Sequence, residues 1–126
     1  MTLKAIALHL GWAAACLGFL PTGAAAQDAL KRIAEHGQVN VGYSEDAPPF
    51  SFKDSKGAPS GYSLDFCMAI VNLLRERTKN PNLRLNLVPV STDQLPRLMG
   101  SRGIDLMCAG VSDTKARRST MDFSSP

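Results

Sequence analysis

The sequence contains little histidine. Histidine occurs twice, and His36 is the only one after residue 26. Acid–base catalysis uses histidine more often than any other residue, and His36 ends the first predicted helix, away from the predicted loops. The scarcity of histidine therefore disfavours an enzyme, and we expect neither a metal site nor a cofactor in this chain.

The sequence also lacks a marked excess of charge of either sign. Fourteen Lys and Arg residues stand against eleven Asp and Glu residues, a formal net charge of +3. Apart from the adjacent Arg117 and Arg118, the basic residues are scattered along the chain. Proteins that bind nucleic acids concentrate such residues on one face, so nucleic acid is not an expected partner. Repeats and low-complexity segments are absent after residue 26, and the length suits a single domain.

The first 26 residues have the organisation of a secretory signal peptide. Lys4 provides a positive charge, and an apolar run over residues 5–20 follows it, interrupted only by His9. Residues 21–23 break this run, and three alanines at positions 24–26 form a cleavage site. We therefore expect soluble export to the periplasm and a mature chain of residues 27–126.

Two other interpretations of this segment are disfavoured. A membrane anchor needs roughly 20 apolar residues, more than the run contains, and no strong positive cluster follows it. A lipoprotein anchor at Cys16 is disfavoured because position 13 is alanine rather than a larger aliphatic residue. In addition, the apolar run continues past Cys16 through Leu17 and Phe19.

Two cysteines, Cys67 and Cys108, remain after cleavage at residue 26. In an oxidising compartment an even pair favours a disulfide. The alternative is a pair of buried free thiols, each acting as a small apolar residue. The sequence alone leaves both interpretations open.

The hydrophobic periodicity predicts helices alternating with strands. Helices are expected over residues 28–36, from a cap at Ser63 to about residue 79, and over 93–101, with a helical turn at 114–118. Strands are expected over residues 39–43, 50–52, 83–87, 104–108 and 121–123. This alternation predicts an α/β fold, with an open, mainly parallel sheet flanked by helices. Asp105, inside a predicted strand, is interpreted as a structural hydrogen-bonding residue.

In open α/β sheets, ligands bind beyond the carboxyl ends of the strands. That rule selects the loop at residues 44–49, after the first strand, and the loop at residues 109–114, after the strand that contains Asp105. Both loops are therefore candidate ligand-binding segments.

The second loop and the turn after it contain the residue types of a carboxylate receptor. Gly110 allows a ligand to approach the backbone, Ser112 supplies a hydroxyl, and Thr114 opens the predicted helical turn, where free N–H groups attract anions. Arg117 adds a planar fork that matches a carboxylate with two hydrogen bonds. Taken singly, these residues are a turn, a cap and a solvated arginine. Together, at the end of a strand, they favour a carboxylate receptor.

Three segments resemble a known family. VNVGYSEDAPPFSF (residues 39–52), GAPSGYSLDFCMAI (57–70) and GIDLMCAGVSDTKARRSTMDFSSP (103–126) are similar to segments of the family 3 extracellular solute-binding proteins. These proteins serve amino-acid importers of the ABC type. The strand at residues 83–89 and its spacing to Asp105 are most similar to the glutamate/aspartate-binding branch.

The resemblance implies a clamshell of two lobes that closes on an amino acid, with residues 27–126 as an incomplete N-terminal lobe. Arg117 would hold the ligand α-carboxylate, Ser112 would donate a hydrogen bond, and Gly110 would present its backbone to the α-amino group. The expected partners are an amino acid or related carboxylate and the membrane subunits of an ABC transporter. The complete protein is expected to be a monomer and not an enzyme.

The first loop departs from the acidic-amino-acid branch. Ser44 and Leu95 occupy positions where that branch has arginines, and Ala47 replaces an aromatic that stacks on the ligand. These losses argue against glutamate or aspartate as ligand, although Ser44 remains a candidate ligand contact. Glu45 and Asp46 make the loop acidic, which either favours a basic or neutral ligand or reflects two solvated residues.

Two other function classes remain open. Periplasmic dehydratases share the scaffold, and a paired acid and base in the cleft would identify one. Such lobes also occur in sensors, where a transmembrane segment would follow. The lone lobe is expected to bind weakly, because a charge-assisted hydrogen bond contributes about 1.5–3 kcal/mol, whereas micromolar affinity needs about 8 kcal/mol.

Overall fold

The computed structural model describes residues 24–124, with side chains from Asp28 onward. Residues 1–23 of the predicted signal peptide lie outside the described residues. In chain order the elements are α1 (Ala24–His36), β1 (Gln38–Tyr43), β2 (Asp46–Ala47), β3 (Ser51–Lys53), β4 (Pro59–Ser60), α2 (Tyr62–Arg77), β5 (Arg84–Pro89), α3 (Leu95–Gly100), β6 (Leu106–Cys108) and a 3-10 turn (Arg117–Ser119). Within these residues, no helix is long and apolar enough to cross a membrane.

The main sheet is parallel and has the strand order β5–β1–β6. Strand β1 is central: Val41 pairs with Leu87 of β5 on one side and with Leu106 of β6 on the other. Strands β2, β3 and β4 form a separate antiparallel sheet after β1. The predicted α/β class with a mainly parallel sheet is confirmed.

One face of the main sheet packs on α1 and α2. Val39, Val41 and Tyr43 point to this face because side chains alternate along a strand, and all three are buried. Leu64, Cys67 and Val71 of α2 pack in the same cluster, together with Ile33, Leu83 and Cys108. The helical periodicity of α2 was predicted with Ile70 inside, but Ile70 is 39% exposed. The buried stripe runs instead through the residues one turn apart at 64, 67 and 71.

The other face of the sheet packs on a second apolar cluster. Its buried members are Val90, Leu95, Ile104 and Met121. Gly42 of β1 faces this cluster, where a Cβ atom would lie 2.9 Å from both Ile104 Cδ1 and Met107 Sδ. A side chain at this position would therefore require these side chains to shift.

Residues 121–123 were predicted as a strand, and that prediction is wrong. No strand is present there within the described residues. Met121 is 8% exposed and Phe123 packs against the second cluster. The alternation of apolar residues therefore reflects two side chains that enter the core, without pairing to the sheet.

The start of α2 is fixed by backbone carbonyls rather than by the predicted cap at Ser63. No side chain caps this helix. Tyr62 N donates to Pro49 O at 3.2 Å, and Ser63 N donates to Phe50 O at 3.0 Å. These bonds satisfy N–H groups that the first turn of a helix leaves free. They also attach the loop after β1 to α2.

Asp105 has the structural role that was predicted. Its side chain is 2% exposed and forms an ion pair with Arg32 of α1. Asp105 Oδ2 accepts a hydrogen bond from Asn40 N at 2.8 Å, and Asp105 N donates to Asn40 O at 2.7 Å. One residue thus joins α1, β1 and the chain that enters β6.

A disulfide joins Cys67 of α2 to Cys108, the last residue of β6. The two Cα atoms are 6.3 Å apart, and the bond closes a sequence separation of 41 residues. A cross-link over a loop of this length stabilises a fold by about 4 kcal/mol in the chain-entropy model.

We expect Asp105→Ala to lower the free energy of unfolding by about 3 kcal/mol, because it leaves the partly buried Arg32 without its anion and Asn40 N–H without an acceptor. Urea denaturation measures this loss. Asp28→Ala is the matched control: it removes an exposed pair with Arg102 and should cost less than about 1 kcal/mol. Equal losses in the two variants would contradict a structural role for Asp105.

Candidate functional site

Three loops meet at the carboxyl edge of the main sheet. Residues 44–49 follow β1, residues 90–94 follow β5, and residues 109–116 follow β6. Because the three strands are parallel and adjacent, their carboxyl ends lie side by side. The first and third loops are those predicted to bind ligand, and the second adds a wall between the first loop and α3.

The first loop is held by a buried serine that the sequence analysis missed. Ser51 of β3 is fully buried. Its hydroxyl accepts a hydrogen bond from Ser44 N and donates one to Ser44 O, both at 2.9 Å. The Ser44 hydroxyl donates to Asp46 Oδ1 at 3.2 Å. The backbone of Ser44 therefore has a structural task, and only its hydroxyl can turn to a ligand.

The two acidic residues of the first loop differ in their surroundings. Glu45 Oε1 lies 2.6 Å from Lys53 Nζ in β3 and 3.4 Å from Tyr43 Oη, which donates to it. The hydrogen bond to Glu45 raises the pKa of Lys53. Burial, followed by the charge of Glu45, raises the pKa of Tyr43. Glu45 is thus neutralised by Lys53, whereas Asp46 is exposed and its carboxylate accepts from the Ser44 hydroxyl.

A cavity of about 370 Å³ lies between the first and second loops. It is lined by Glu45, Asp46, Pro89, Val90, Ser91 and Gln94. Leu95, where the acidic-amino-acid branch was expected to have an arginine, is fully buried in the second cluster. The lining therefore combines carboxylates with a hydroxyl and an amide, and contains no Lys or Arg.

Three of the five predicted contacts, Gly110, Ser112 and Thr114, lie in the third loop, and Arg117 lies in the 3-10 turn that follows it. Gly110 and Ser112 are exposed, and Arg117 is half-buried. Arg117 Nη1 donates to Ser112 O at 2.8 Å, and Arg117 N donates to Thr114 Oγ1 at 3.3 Å. The guanidinium is thus anchored through one nitrogen, and its remaining N–H groups make no hydrogen bond within the described residues.

The helical turn predicted over residues 114–118 begins later and is shorter. The structure has a 3-10 turn over Arg117–Ser119, and Thr114 precedes it, accepting from Arg117 N. A turn of three residues has almost no macrodipole, so anion binding at a helix start is not available here. Arg117 itself has to supply the positive charge.

Arg118, next to Arg117, lies at the surface. Its side chain pairs with Asp113, and both groups are exposed. The hydrogen bond and charge of Asp113 raise the pKa of Arg118. Arg118 is therefore paired with a carboxylate of the third loop, whereas the guanidinium of the neighbouring Arg117 donates to a backbone carbonyl of that loop.

An aromatic side chain lies over Gly110, and the sequence analysis missed it. A Cβ atom at Gly110 would be 3.6 Å from the ring of Phe50. That ring is 39% exposed and lies 5.2 Å, centroid to centroid, from Tyr62. Ala47 stands in the first loop where the family often has an aromatic side chain. Phe50 instead brings an apolar surface close to Gly110 in the third loop.

Metal ligation has no candidate in the described part of the chain. Among residues 24–124, no three His, Cys, Asp or Glu side chains cluster in a way that would hold a metal ion. His36 is exposed at the end of α1, which enters the amino end of β1. It is therefore separated from the carboxyl edge by the length of the strand.

Comparisons with known proteins identify the family. A model of the bacterial extracellular solute-binding proteins, family 3, matches residues 39–126. The glutamate/aspartate import solute-binding protein of Escherichia coli K12 is 30% identical over 100 residues, covering 79% of this chain and 33% of the relative. Cyclohexadienyl dehydratase of Pseudomonas aeruginosa is 29% identical over 120 residues, covering 94% of this chain and 42% of the relative.

A solved structure supports the same fold. A mutant of domain 1 from TmArgBP, in its arginine-bound form, matches with a TM-score of 0.66 and 29% identity, covering 77% of this chain and 70% of that chain. The predicted fold, one lobe of a type II periplasmic binding protein, is confirmed. The chain spans about one third of the length of the glutamate/aspartate-binding relatives. With a family match over residues 39–126 and three loops at the carboxyl edge of its sheet, this chain belongs to the bacterial extracellular solute-binding proteins of family 3.

Proposed function

We propose that residues 27–126 are the N-terminal lobe of a periplasmic protein that binds an amino acid and delivers it to the membrane subunits of an ABC importer. Residues 1–26 are the signal peptide in this proposal. The Cys67–Cys108 disulfide supports an exported protein, because such bonds persist in oxidising compartments. The observation that carries the proposal is the segment after β6, with Gly110 and Ser112 in the third loop and Arg117 in the turn that follows it.

Arg117 is the proposed grip for the ligand α-carboxylate. Its bond to Ser112 O fixes the direction of the guanidinium, and the remaining N–H groups suit two carboxylate oxygens. The exposed Ser112 hydroxyl and the backbone of Gly110 complete one side of the site. The ring of Phe50 lies against Gly110 and offers an apolar wall for the ligand.

The side chain of the ligand is proposed to be neutral or positively charged. The cavity between the first two loops is lined by Asp46 and by Glu45, whose charge Lys53 compensates. Asp46 therefore leaves a net negative charge. A glutamate or aspartate side chain would meet this charge without the arginines that Ser44 and Leu95 replace.

The affinity of this lobe alone should be low. A bidentate arginine–carboxylate contact and one or two further hydrogen bonds amount to roughly 4–6 kcal/mol, which corresponds to dissociation constants from about 1 mM down to about 40 μM. The arginine-bound form of domain 1 from TmArgBP is a precedent for ligand on a single lobe. Binding to this chain is therefore measurable at millimolar ligand.

Replacing Arg117 tests the grip. We expect Arg117→Ala to weaken amino-acid binding at least tenfold and Arg117→Lys to weaken it less, because lysine keeps the charge but loses the fork. Calorimetry at high protein concentration gives the constants. Arg118→Ala, one residue away and paired with Asp113, is the control and should change affinity less than about twofold. Equal effects at positions 117 and 118 would refute the assignment.

A ligand panel tests the preference for side-chain charge. Lysine, arginine and glutamine should each bind this chain more tightly than glutamate, since Asp46 repels an acidic side chain. Asp46→Asn should weaken lysine binding about threefold to tenfold, as one charge-assisted hydrogen bond becomes a neutral one. Glutamine binding should hardly change. Tightest binding of glutamate by the unmodified chain would contradict the proposal.

A dehydratase is the second candidate, favoured by the match to cyclohexadienyl dehydratase over 94% of this chain. Eliminating water needs a base to remove a proton and an acid to protonate the leaving hydroxyl. Glu45 is tied to Lys53, and His36 lies at the opposite edge of the sheet. Mass spectrometry of a cyclohexadienyl carboxylate incubated with the protein distinguishes the two, because only a dehydratase yields a product with one water less.

A further inference from the structure

Both candidate ligand loops are attached to the first turns of the same helix, α2. The first loop is attached by hydrogen bonds, since Tyr62 N and Ser63 N donate to the carbonyls of Pro49 and Phe50. The third loop is attached covalently, since Cys67 is bonded to Cys108, two residues before Gly110. Helix α2 is therefore bonded both to the first loop and to the strand end that precedes the third loop.

The strand that leads into the third loop has few other attachments. Strand β6 is three residues long and pairs, among the described strands, only with β1. Beyond the β-ladder, every hydrogen bond that residues 110–116 make in the described part of the chain has its partner between residues 109 and 120. The loop's hydrogen bonds are thus local, and its attachments to the rest of the fold are the end of β6 and Val111, which packs against the second apolar cluster.

Cys108 is the last residue of β6 and lies beside the last residue of β1, so the disulfide restrains the ends of both strands. It pairs with Tyr43 in the β-ladder, and Tyr43 immediately precedes Ser44 of the first loop. Cys108 is 2% exposed and Cys67 is 7% exposed. A link in this position resists displacement of the ends of β1 and β6 relative to α2. The Phe50 ring, which directly follows the first loop, also lies close to Gly110: a Cβ atom there would be 3.6 Å from it.

We propose that the Cys67–Cys108 disulfide is a positioning element of the ligand site: it holds the third loop, and through it Gly110, Ser112 and Arg117, in register with the first loop. This inference rests on the proposed function. A site built in advance loses less freedom when ligand binds, and small displacements of a supporting shell weaken binding strongly. The bond should therefore contribute to affinity as well as to global stability.

The test compares two variants that remove packing from the same cluster. Cys67→Ala with Cys108→Ala breaks the link. Val71→Ala, one turn further along the buried face of α2, removes core packing and leaves the link intact. If the alanine pair does not fold, Cys67→Val with Cys108→Ala replaces much of the lost volume. Each variant is studied well below its own midpoint of thermal unfolding.

Hydrogen exchange without ligand is the first measurement. The amide of Val111 donates to Ala109 O in the third loop, and the amide of Val90 donates to Tyr43 O on the other side of β1. Removing the disulfide should raise exchange at Val111 at least tenfold more than at Val90. Val71→Ala should raise both alike. Parallel increases in the disulfide-free variant would overturn the proposal, because the bond would then stabilise only the whole fold.

Calorimetry with the amino acid that the unmodified chain binds best is the second measurement. The disulfide-free variant should bind about tenfold more weakly, and Val71→Ala within about twofold of the unmodified chain. Equal affinities in all three proteins would overturn the proposal. If the unmodified chain binds no amino acid, the proposed function fails, and the exchange measurement still decides whether the bond positions the loop.

Discussion

The pairing of β1 on both of its edges is the constraint on which the rest of the described structure depends. Val39, Val41 and Tyr43 face one apolar cluster, and Gly42 allows a second cluster to approach the opposite face. Strands β5 and β6 are parallel to β1, so the loops that follow all three strands emerge at one edge. Asp105 secures the amino end of this arrangement by bonding Asn40 and pairing with Arg32. The disulfide secures the other end.

The carboxyl edge of the sheet has a positively charged part and a negatively charged part. After the third loop, Arg117 has guanidinium N–H groups without a hydrogen-bond partner within the described residues, while the adjacent Arg118 is paired with Asp113. On the first loop, Asp46 leaves a negative charge, while Glu45 is paired with Lys53. The proposed ligand, a zwitterionic amino acid with a side chain that is not acidic, is complementary to this distribution if its carboxylate meets Arg117.

Local patterns in the sequence predicted most of the fold. The alternation at residues 39, 41 and 43 predicted β1, and the helical period after residue 63 predicted α2. Features that depend on distant contacts were missed or misread. The cap at Ser63 is replaced by carbonyls from residues 49 and 50, and the apolar Met121 and Phe123 enter the core without forming a strand. No local pattern distinguishes these outcomes.

The candidate site was predictable to a similar extent. The third loop was identified because a small residue, a hydroxyl and an arginine follow a strand within a few positions. Phe50 and Ser51 were missed because their roles come from tertiary contacts, with Gly110 and with the backbone of Ser44. The sequence also did not decide whether Cys67 and Cys108 form a disulfide or remain free thiols. Their separation in sequence does not give the distance between the two elements that carry them.

The central claim is that the carboxyl edge of the sheet binds the ligand through Arg117. Its most direct test is a map of NMR chemical-shift changes during titration with L-lysine or L-glutamine. The account predicts saturable changes at the amides of Ser44, Gly110 and Ser112 and at Nε of Arg117, with little change at Asn40 and Asp105. Changes confined to the amino edge around Asn40 and Asp105, or saturable binding that leaves Arg117 unaffected, would contradict it.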